Sequence, residues 1–245
     1  MNWIEKHINE AIQQGKKLFA WLIDPDKLSL DMLIDQLKIA SQFPPDLIFL
    51  GGSLMIKDQI NEFILQIRSH LDRPIILFPG STNQINENAD GILFLSLISG
   101  RNPDFLIGRH VESAYLLKKS KLQVLPTGYM LIDSGKPTTA SYISNTFPIP
   151  HNKPDIALST AIAGELLGLR FIFLDGGSGA QSTVSMEMIQ LVKENINIPL
   201  ITGGGIKNPE QMKSAFDAGA DIVVVGNVIE TNPDLLQGFY HITNS

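Results

Sequence analysis

The sequence predicts an α/β fold, a single (β/α)8 TIM barrel. Three observations carry this. Eight short apolar runs rich in β-branched residues recur along the chain, closed by Gly, Ser, Asp or Pro. Amphipathic helical stretches lie between most of them. The length of 245 residues matches one such barrel.

The runs are Leu18–Asp24, Leu47–Ser53, Ile75–Ser81, Gly91–Ser99, Gln123–Met130, Phe171–Gly177, Pro199–Gly205 and Ile222–Asn227. They are apolar without alternation, the pattern of parallel strands buried on both faces. The helical stretches are Ser29–Ser41, Asp58–His70, Pro103–Lys119, Asp155–Leu167, Val184–Asn195 and Pro209–Ala218. Asn208 precedes Pro209 as an N-cap, with proline at the first helical position. A further helix is expected at about 2–15, ahead of a barrel over about 17–240. No linker or charge block divides the chain, so residues 1–245 read as one domain. An open doubly wound sheet is the alternative, though such sheets more often have about five to seven strands.

Two connections break the rhythm. Only Gly80 to Asp90, rich in Asn, Ser and Gly, separates the third and fourth runs. That is too short for two loops and a full helix, so the third helix is expected to be missing or reduced to a turn. A gap there exposes apolar flanks and offers a long hydrocarbon a way in; the plainer account is a shortened loop. The stretch Ile132 to Lys153 is long and mostly polar, as in a lid, a binding loop or a surface excursion.

Composition excludes several classes. With no cysteine there is no disulfide, thiolate metal site or cysteine nucleophile. The net charge of −6 argues against a general nucleic-acid binder. His7, His70, His110, His151 and His241 are scattered without ligand spacing. The first residues mix charged and apolar side chains, unlike an export signal. No run approaches the roughly 18 apolar residues of a membrane span. A cytoplasmic, soluble protein is expected.

Barrel active sites lie at the C-terminal strand ends. The last two strands end in Thr202-Gly203-Gly204-Gly205-Ile206 and Gly226-Asn227. Bare glycines let backbone N–H groups approach an anion, and loops after strands seven and eight are the usual barrel phosphate site. Glycine needed only for tight turns is the other account. After the sixth strand, Gly176, Gly177 and Gly179 form a similar loop, with Ser178 as a phosphate donor. There Asp175 either accepts from a ligand hydroxyl or caps the turn. Asp24 and Ser53, ending the first two strands, form a hard-oxygen set suited to Mg2+. Lys27 either pairs with Asp26 in a turn or meets phosphate. Tyr129 either binds ligand through its hydroxyl or packs at the barrel mouth. Phe105, Leu106, Val111, Tyr115 and Leu116 are read mainly as core, with a self-association face as the other reading.

Six motifs in order carry a resemblance over about Leu18 to Asn227. They are Leu22-Ile23-Asp24-Pro25-Asp26-Lys27, Gly51-Gly52-Ser53, Phe78-Pro79-Gly80-Ser81, Gly128-Tyr129, Leu174-Asp175-Gly176-Gly177-Ser178-Gly179 and Gly203-Gly204-Gly205-Ile206. Together they resemble geranylgeranylglyceryl phosphate synthases, (β/α)8 prenyltransferases of ether-lipid synthesis related to heptaprenylglyceryl phosphate synthases. Asp175–Gly179 is similar to the second subgroup, where other members carry glutamate and tyrosine; the match indicates the family more firmly than a prenyl length. The resemblance implies that sn-glycerol 1-phosphate and geranylgeranyl diphosphate give geranylgeranylglyceryl phosphate and diphosphate. It implies Mg2+ at Asp24 and Ser53. It places glycerol 1-phosphate on Phe173, Leu174, Asp175, Gly176, Gly177, Ser178, Gly179, Gly204, Gly205, Gly226 and Asn227, with Tyr129 as a further contact. Asp175 and Asp24 are the expected catalytic residues. A homo-oligomer and transient contact with a membrane surface are also expected. A different prenyl length, a phosphosugar isomerase or synthase, and a non-catalytic phospholigand-binding barrel are the alternatives.

Overall fold

A computed structural model describes residues 2–244. Met1 and Ser245, the outermost residues of the expected 1–245 unit, lie outside the described residues. Eight parallel strands close into a barrel in sequence order. They are β1 (Leu18–Ile23), β2 (Leu47–Leu50), β3 (Ile75–Leu77), β4 (Gly91–Leu97), β5 (Gln123–Leu131), β6 (Phe171–Asp175), β7 (Leu200–Gly203) and β8 (Ile222–Val225). β8 pairs with β1, as in Phe19 with Val223, and this closure leaves no open edge.

Most strands are shorter than the apolar runs. The Gly, Ser and Asp residues that end those runs lie in the loops that form the mouth. Along each strand the side chains alternate between two cores. Leu18 and Ala20 of β1 and Phe171 and Phe173 of β6 point into the barrel, with Phe49, Ile201 and Val224. Phe19, Trp21, Ile172 and Leu174 point outward against the helices. Continuing the alternation two residues past Leu22 and Phe173 aims Asp24 and Asp175 into the mouth.

The helices are α1 (Trp3–Gln13), α2 (Leu30–Ala40), α3 (Ile60–His70), α4 (Arg109–Lys119), α5 (Thr139–Ser144), α6 (Pro154–Leu166), α7 (Met186–Lys193), α8 (Pro209–Asp217), α9 (Asn227–Thr231) and α10 (Leu235–Thr243). Side-chain caps start several: Asn2, Ser29, Ser185 and Asn208 each accept the N–H three residues on. Helix α1 closes the bottom of the barrel, burying Ile4 and Ile8 in the interior core. Glu5 of α1 meets Arg170 at 2.6 Å, and the Asn2 side chain donates to the Val124 carbonyl at 3.0 Å.

The connection between β3 and β4 holds one turn of 3-10 helix, Thr82–Gln84, as its length requires. The 132–153 stretch holds α5, capped reciprocally by Thr138 and Ser141, and a bridge between Ile132 and Ile149. One expectation is corrected. On α4, Val111, Tyr115 and Leu116 are exposed rather than core, while Phe105 and Leu106 are half-buried in a π-helical turn, Asp104–Gly108, that opens the helix. The apolar residues of α4 exceed what one buried face takes up. Among the described residues, no helix is long and apolar enough to cross a membrane.

Two buried carboxylates and one half-buried carboxylate finish the barrel floor. Asp46, Asp90 and Asp221 accept the N–H groups of Phe19, Ile75 and Leu200 at 2.8–2.9 Å. Each also meets a cation: Lys16, Arg68 and Lys193 at 2.6–2.8 Å. Truncating Asp221 strands the Leu200 N–H and two lysines, since Lys17 is also 3.7 Å away. Asp221→Ala is therefore expected to lower unfolding stability by about 3 kcal/mol in urea titrations, the scale for breaking a buried ion pair.

Candidate active site

One cavity of about 470 Å³ opens at the C-terminal face of the barrel. Its polar end is built from the loops after β1, β2, β6, β7 and β8. Asp24, Ser53, Asp175, Gly177, Ser178, Gly179, Gly204, Gly205, Gly226 and Asn227 all line it, with Tyr129 and Phe173 at its base. Leu174 and Gly176 do not. The Leu174 side chain faces the helix layer, so only its backbone remains near the site. Gly176 stands behind the loop, packed under Gly204.

The glycine loops are shaped by close approach. Gly204 has φ of +81°, and a Cβ there would lie 2.7 Å from the Gly177 nitrogen and 2.8 Å from the Gly176 Cα. The β6 and β7 loops therefore interlock backbone to backbone, which brings bare N–H groups to the cavity wall.

Asp175 is 8 % exposed. One carboxylate oxygen accepts the Tyr129 hydroxyl at 2.5 Å, and the other accepts the Gly177 N–H at 2.7 Å. A carboxylate has about four acceptor positions, so two stay open toward the cavity. Burial pushes the Asp175 carboxyl above the usual range, while the bonds from Tyr129 and Gly177 pull it partly back. Burial first, then the neighbouring carboxylate, drives the Tyr129 phenol well above its ordinary value. Tyr129 packs at the barrel mouth, the second of the two roles its position suggested, and spends its hydroxyl on Asp175. Its ring packs edge-on against Phe78 and Phe173, with centroids 5.8 and 5.5 Å away, and its hydroxyl is committed to Asp175.

On the opposite wall, Asp24 accepts the Asp26 N–H at 3.1 Å and meets Lys27 at 3.3 Å. Asp26 does not pair with Lys27; it accepts the N–H groups of Ile56 and Lys57 and so fixes the loop after β2. Gly52 lies against Asp24, where an added Cβ would stand 2.9 Å from its carboxylate. The 3-10 turn that replaces a helix braces this wall. Buried Gln84 donates to the Gly52 carbonyl at 2.9 Å and accepts the Gly80 N–H at 3.2 Å. Among the described residues, no three or more His, Cys, Asp or Glu side chains converge as a metal cage.

Beyond the aromatic base the cavity turns apolar. Ile85, Ile92, Phe94, Leu95, Phe105 and Leu117 line an arm that runs toward α4, where the ring of helices is interrupted. His110 and Ser113 also line it. The His110 ring stands edge-on to Phe94 at 4.3 Å, and burial holds its imidazole below the ordinary range. Glu230 of α9 lines the polar end; burial raises its carboxyl, opposed by Lys27 and assisted by Asp24. Sequence reading missed Glu230, His110 and Ser113. Glu230 lies four residues past the strand-end Gly226, and His110 follows the irregular turn opening α4; neither carries a motif.

The model of the PcrB family matches residues 10–242. The chain belongs to the PcrB family. It is 53 % identical to a geranylgeranylglyceryl phosphate synthase of Spirosoma linguale, over 91 % of this chain and 89 % of that one. It is 50 % identical to the synthase of Chitinophaga pinensis, over 91 % and 89 %. Among solved structures it is similar to (S)-3-O-geranylgeranylglyceryl phosphate synthase of Thermoplasma acidophilum in complex with sn-glycerol-1-phosphate, with a TM-score of 0.92, 29 % identity and 99 % of each chain covered.

The interlocked loops make a first test. Gly204→Ala forces the β6 and β7 loops apart and is expected to weaken binding of inorganic phosphate by about tenfold or more, roughly 1.4 kcal/mol, in calorimetric titrations.

Proposed function

We propose that this protein is a prenyltransferase that joins the 3-hydroxyl of sn-glycerol 1-phosphate to geranylgeranyl diphosphate, releasing diphosphate. One observation carries the reading. A single cavity joins a glycine-lined anion site, a buried carboxylate and an apolar arm opened by the absence of a third outer helix. A polyol phosphate suits the first two and a long hydrocarbon the third. Each buried CH2 of the tail contributes about 0.8 kcal/mol. The relatives' names and the glycerol-phosphate complex support the same reading.

The backbone N–H groups of Ser178, Gly179, Gly204 and Gly205, with the Ser178 hydroxyl, hold the phosphate. Asp175 takes the 3-hydroxyl on its open lone pairs and accepts its proton as the oxygen attacks C1 of the prenyl group. The C1–oxygen bond to diphosphate breaks, and its electron pair leaves with diphosphate. Tyr129 and Gly177 keep Asp175 from rotating away, so the hydroxyl is held at its attack geometry.

The wall opposite fits Mg2+ as the resident ion. Asp24 and Ser53 would hold it, a hard-oxygen pair of the kind Mg2+ uses with water and substrate phosphates. When bound, the ion neutralises charge building on departing diphosphate. The reading also includes self-association, supported by the exposed stripe of Ile107, Val111 and Tyr115. Transient contact with a membrane surface follows from the lipid character of the product.

The decisive assay combines glycerol 1-phosphate, geranylgeranyl diphosphate and Mg2+, repeated with EDTA and other prenyl lengths. Prenylglyceryl phosphate that disappears with EDTA is expected, and the series ranks chain lengths. No product from any donor, by folded protein that binds glycerol 1-phosphate, overturns the reading for an isomerase or a binding-only barrel.

The raised Asp175 pKa sets the sign of the pH dependence. A protonated carboxyl cannot accept the hydroxyl proton, so turnover falls as pH drops through a value above the ordinary carboxylate range. Tyr129→Phe removes a bond that lowers that value, so the limb moves to higher pH. Asp175→Asn is expected to lower kcat by about 10²–10⁴, the range for a general base, with binding little changed. Full turnover in that variant would remove Asp175 from the role.

A further inference from the structure

We infer that Lys27 is a positioning residue shared by the two halves of the site: its ammonium neutralises Asp24 until a divalent cation arrives, then turns onto the phosphate of the glycerol substrate. This deepens the prenyltransferase reading and rests on it.

Lys27 follows β1 in a turn closed by its own N–H to the Asp24 carbonyl, 3.1 Å. An ammonium has three donors. Two of them go to Ser178 Oγ at 2.7 Å and Asn227 Oδ1 at 3.1 Å, and an Asp24 carboxylate oxygen lies 3.3 Å from the nitrogen as an ion pair. These partners come from the loops after β6, β8 and β1, so one side chain ties three loops across the mouth. Lys27 is closest to a neutral hydroxyl, and Ser178 and Asn227 also bond each other at 3.2–3.3 Å. Those are loop groups assigned above to the glycerol phosphate. The ammonium therefore sits where an anion would collect donors, while its side chain remains 37 % exposed.

The other cations lining the cavity are engaged differently. Arg109 pairs with Glu112 at 3.0 Å, and Lys207 reaches the Gln181 carbonyl at 3.4 Å. Lys27 instead faces two carboxylates, Asp24 and Glu230. A divalent ion on Asp24 repels the ammonium at this range and takes over its neutralising role. The free direction for Lys27 is then toward Ser178 and Asn227, onto phosphate oxygen. Metal and phosphate become coupled through one side chain: each raises the affinity of the other by the same factor. Between two bound anions, Lys27 would also screen glycerol phosphate from the diphosphate.

The test uses calorimetry on the full chain, with MgCl2 alone, glycerol 1-phosphate alone, and each in the presence of the other. Lys27→Met removes the competitor for Asp24 and the phosphate ligand together. It is expected to tighten Mg2+ binding without substrate by about threefold or more and to weaken glycerol 1-phosphate by about tenfold or more, with the coupling lost. Lys27→Gln, which keeps a donor for Ser178, checks against loop collapse and should move both affinities in the same directions. Lys27→Arg should recover much of the phosphate affinity. Opposite signs separate this role from a structural one, because a disordered mouth weakens both ligands. Weaker or unchanged Mg2+ binding in both Lys27→Met and Lys27→Gln overturns the proposal, as does unchanged phosphate affinity. Wild-type protein that binds Mg2+ but no glycerol 1-phosphate would instead show that the functional reading has failed, and the phosphate half of the proposal with it.

Discussion

Within a closed parallel barrel every second side chain of a strand must face the axis, and this two-residue period governs the molecule. Leu18, Ala20 and Leu22 put Asp24 inside, and Phe171 and Phe173 do the same for Asp175. Shifting either strand by one residue would turn its carboxylate toward the helices and its large side chains into the mouth. The intervening residues Phe19, Trp21, Ile172 and Leu174 make that shift costly, because they already fill the outer core. Hydrophobic packing thereby fixes the polar groups to within the tolerance that chemistry needs.

The two ends of the barrel use carboxylates for different purposes. At the floor, Asp46, Asp90 and Asp221 are fully engaged by strand N–H groups and cations, so they stabilise and cannot react. At the mouth, Asp175 is buried like Asp46 but, among the described residues, meets no cation; a phenol and one N–H occupy it only partly. Burial, with no cation to offset it and only two hydrogen bonds pulling back, raises its pKa above the ordinary carboxylate range.

The missing helix is the second constraint. Its absence opens the apolar arm between β3, β4 and α4, and the short turn that remains is not idle. Gln84 within it ties Gly52 to Gly80, holding the wall that carries Asp24 and Ser53. The same eleven or so residues thus leave the apolar arm open and stiffen the polar half.

The barrel was legible in the sequence because burial on both faces leaves uninterrupted apolar runs, and the short Gly80–Asp90 connection could be counted. The strand-end Gly, Ser and Asp residues were legible as a mouth for the same reason. Helix α5 was not: its six residues carry no apolar stripe long enough to stand out, and it forms through the Thr138–Ser141 cap and contact with the cavity. Leu174 and Gly176 could not be told from their neighbours, since only the pleat decides which face a residue takes. Glu230 and His110 reach the cavity from loops and helices whose placement depends on the whole ring. Lys27 was read as a choice between Asp26 and phosphate, yet its partners Ser178 and Asn227 lie 151 and 200 residues away. Local pattern alone determined the fold, the family motifs and the chemical types at the mouth. Barrel closure decided which of them meet, because those contacts form only when strands far apart in sequence share one ring.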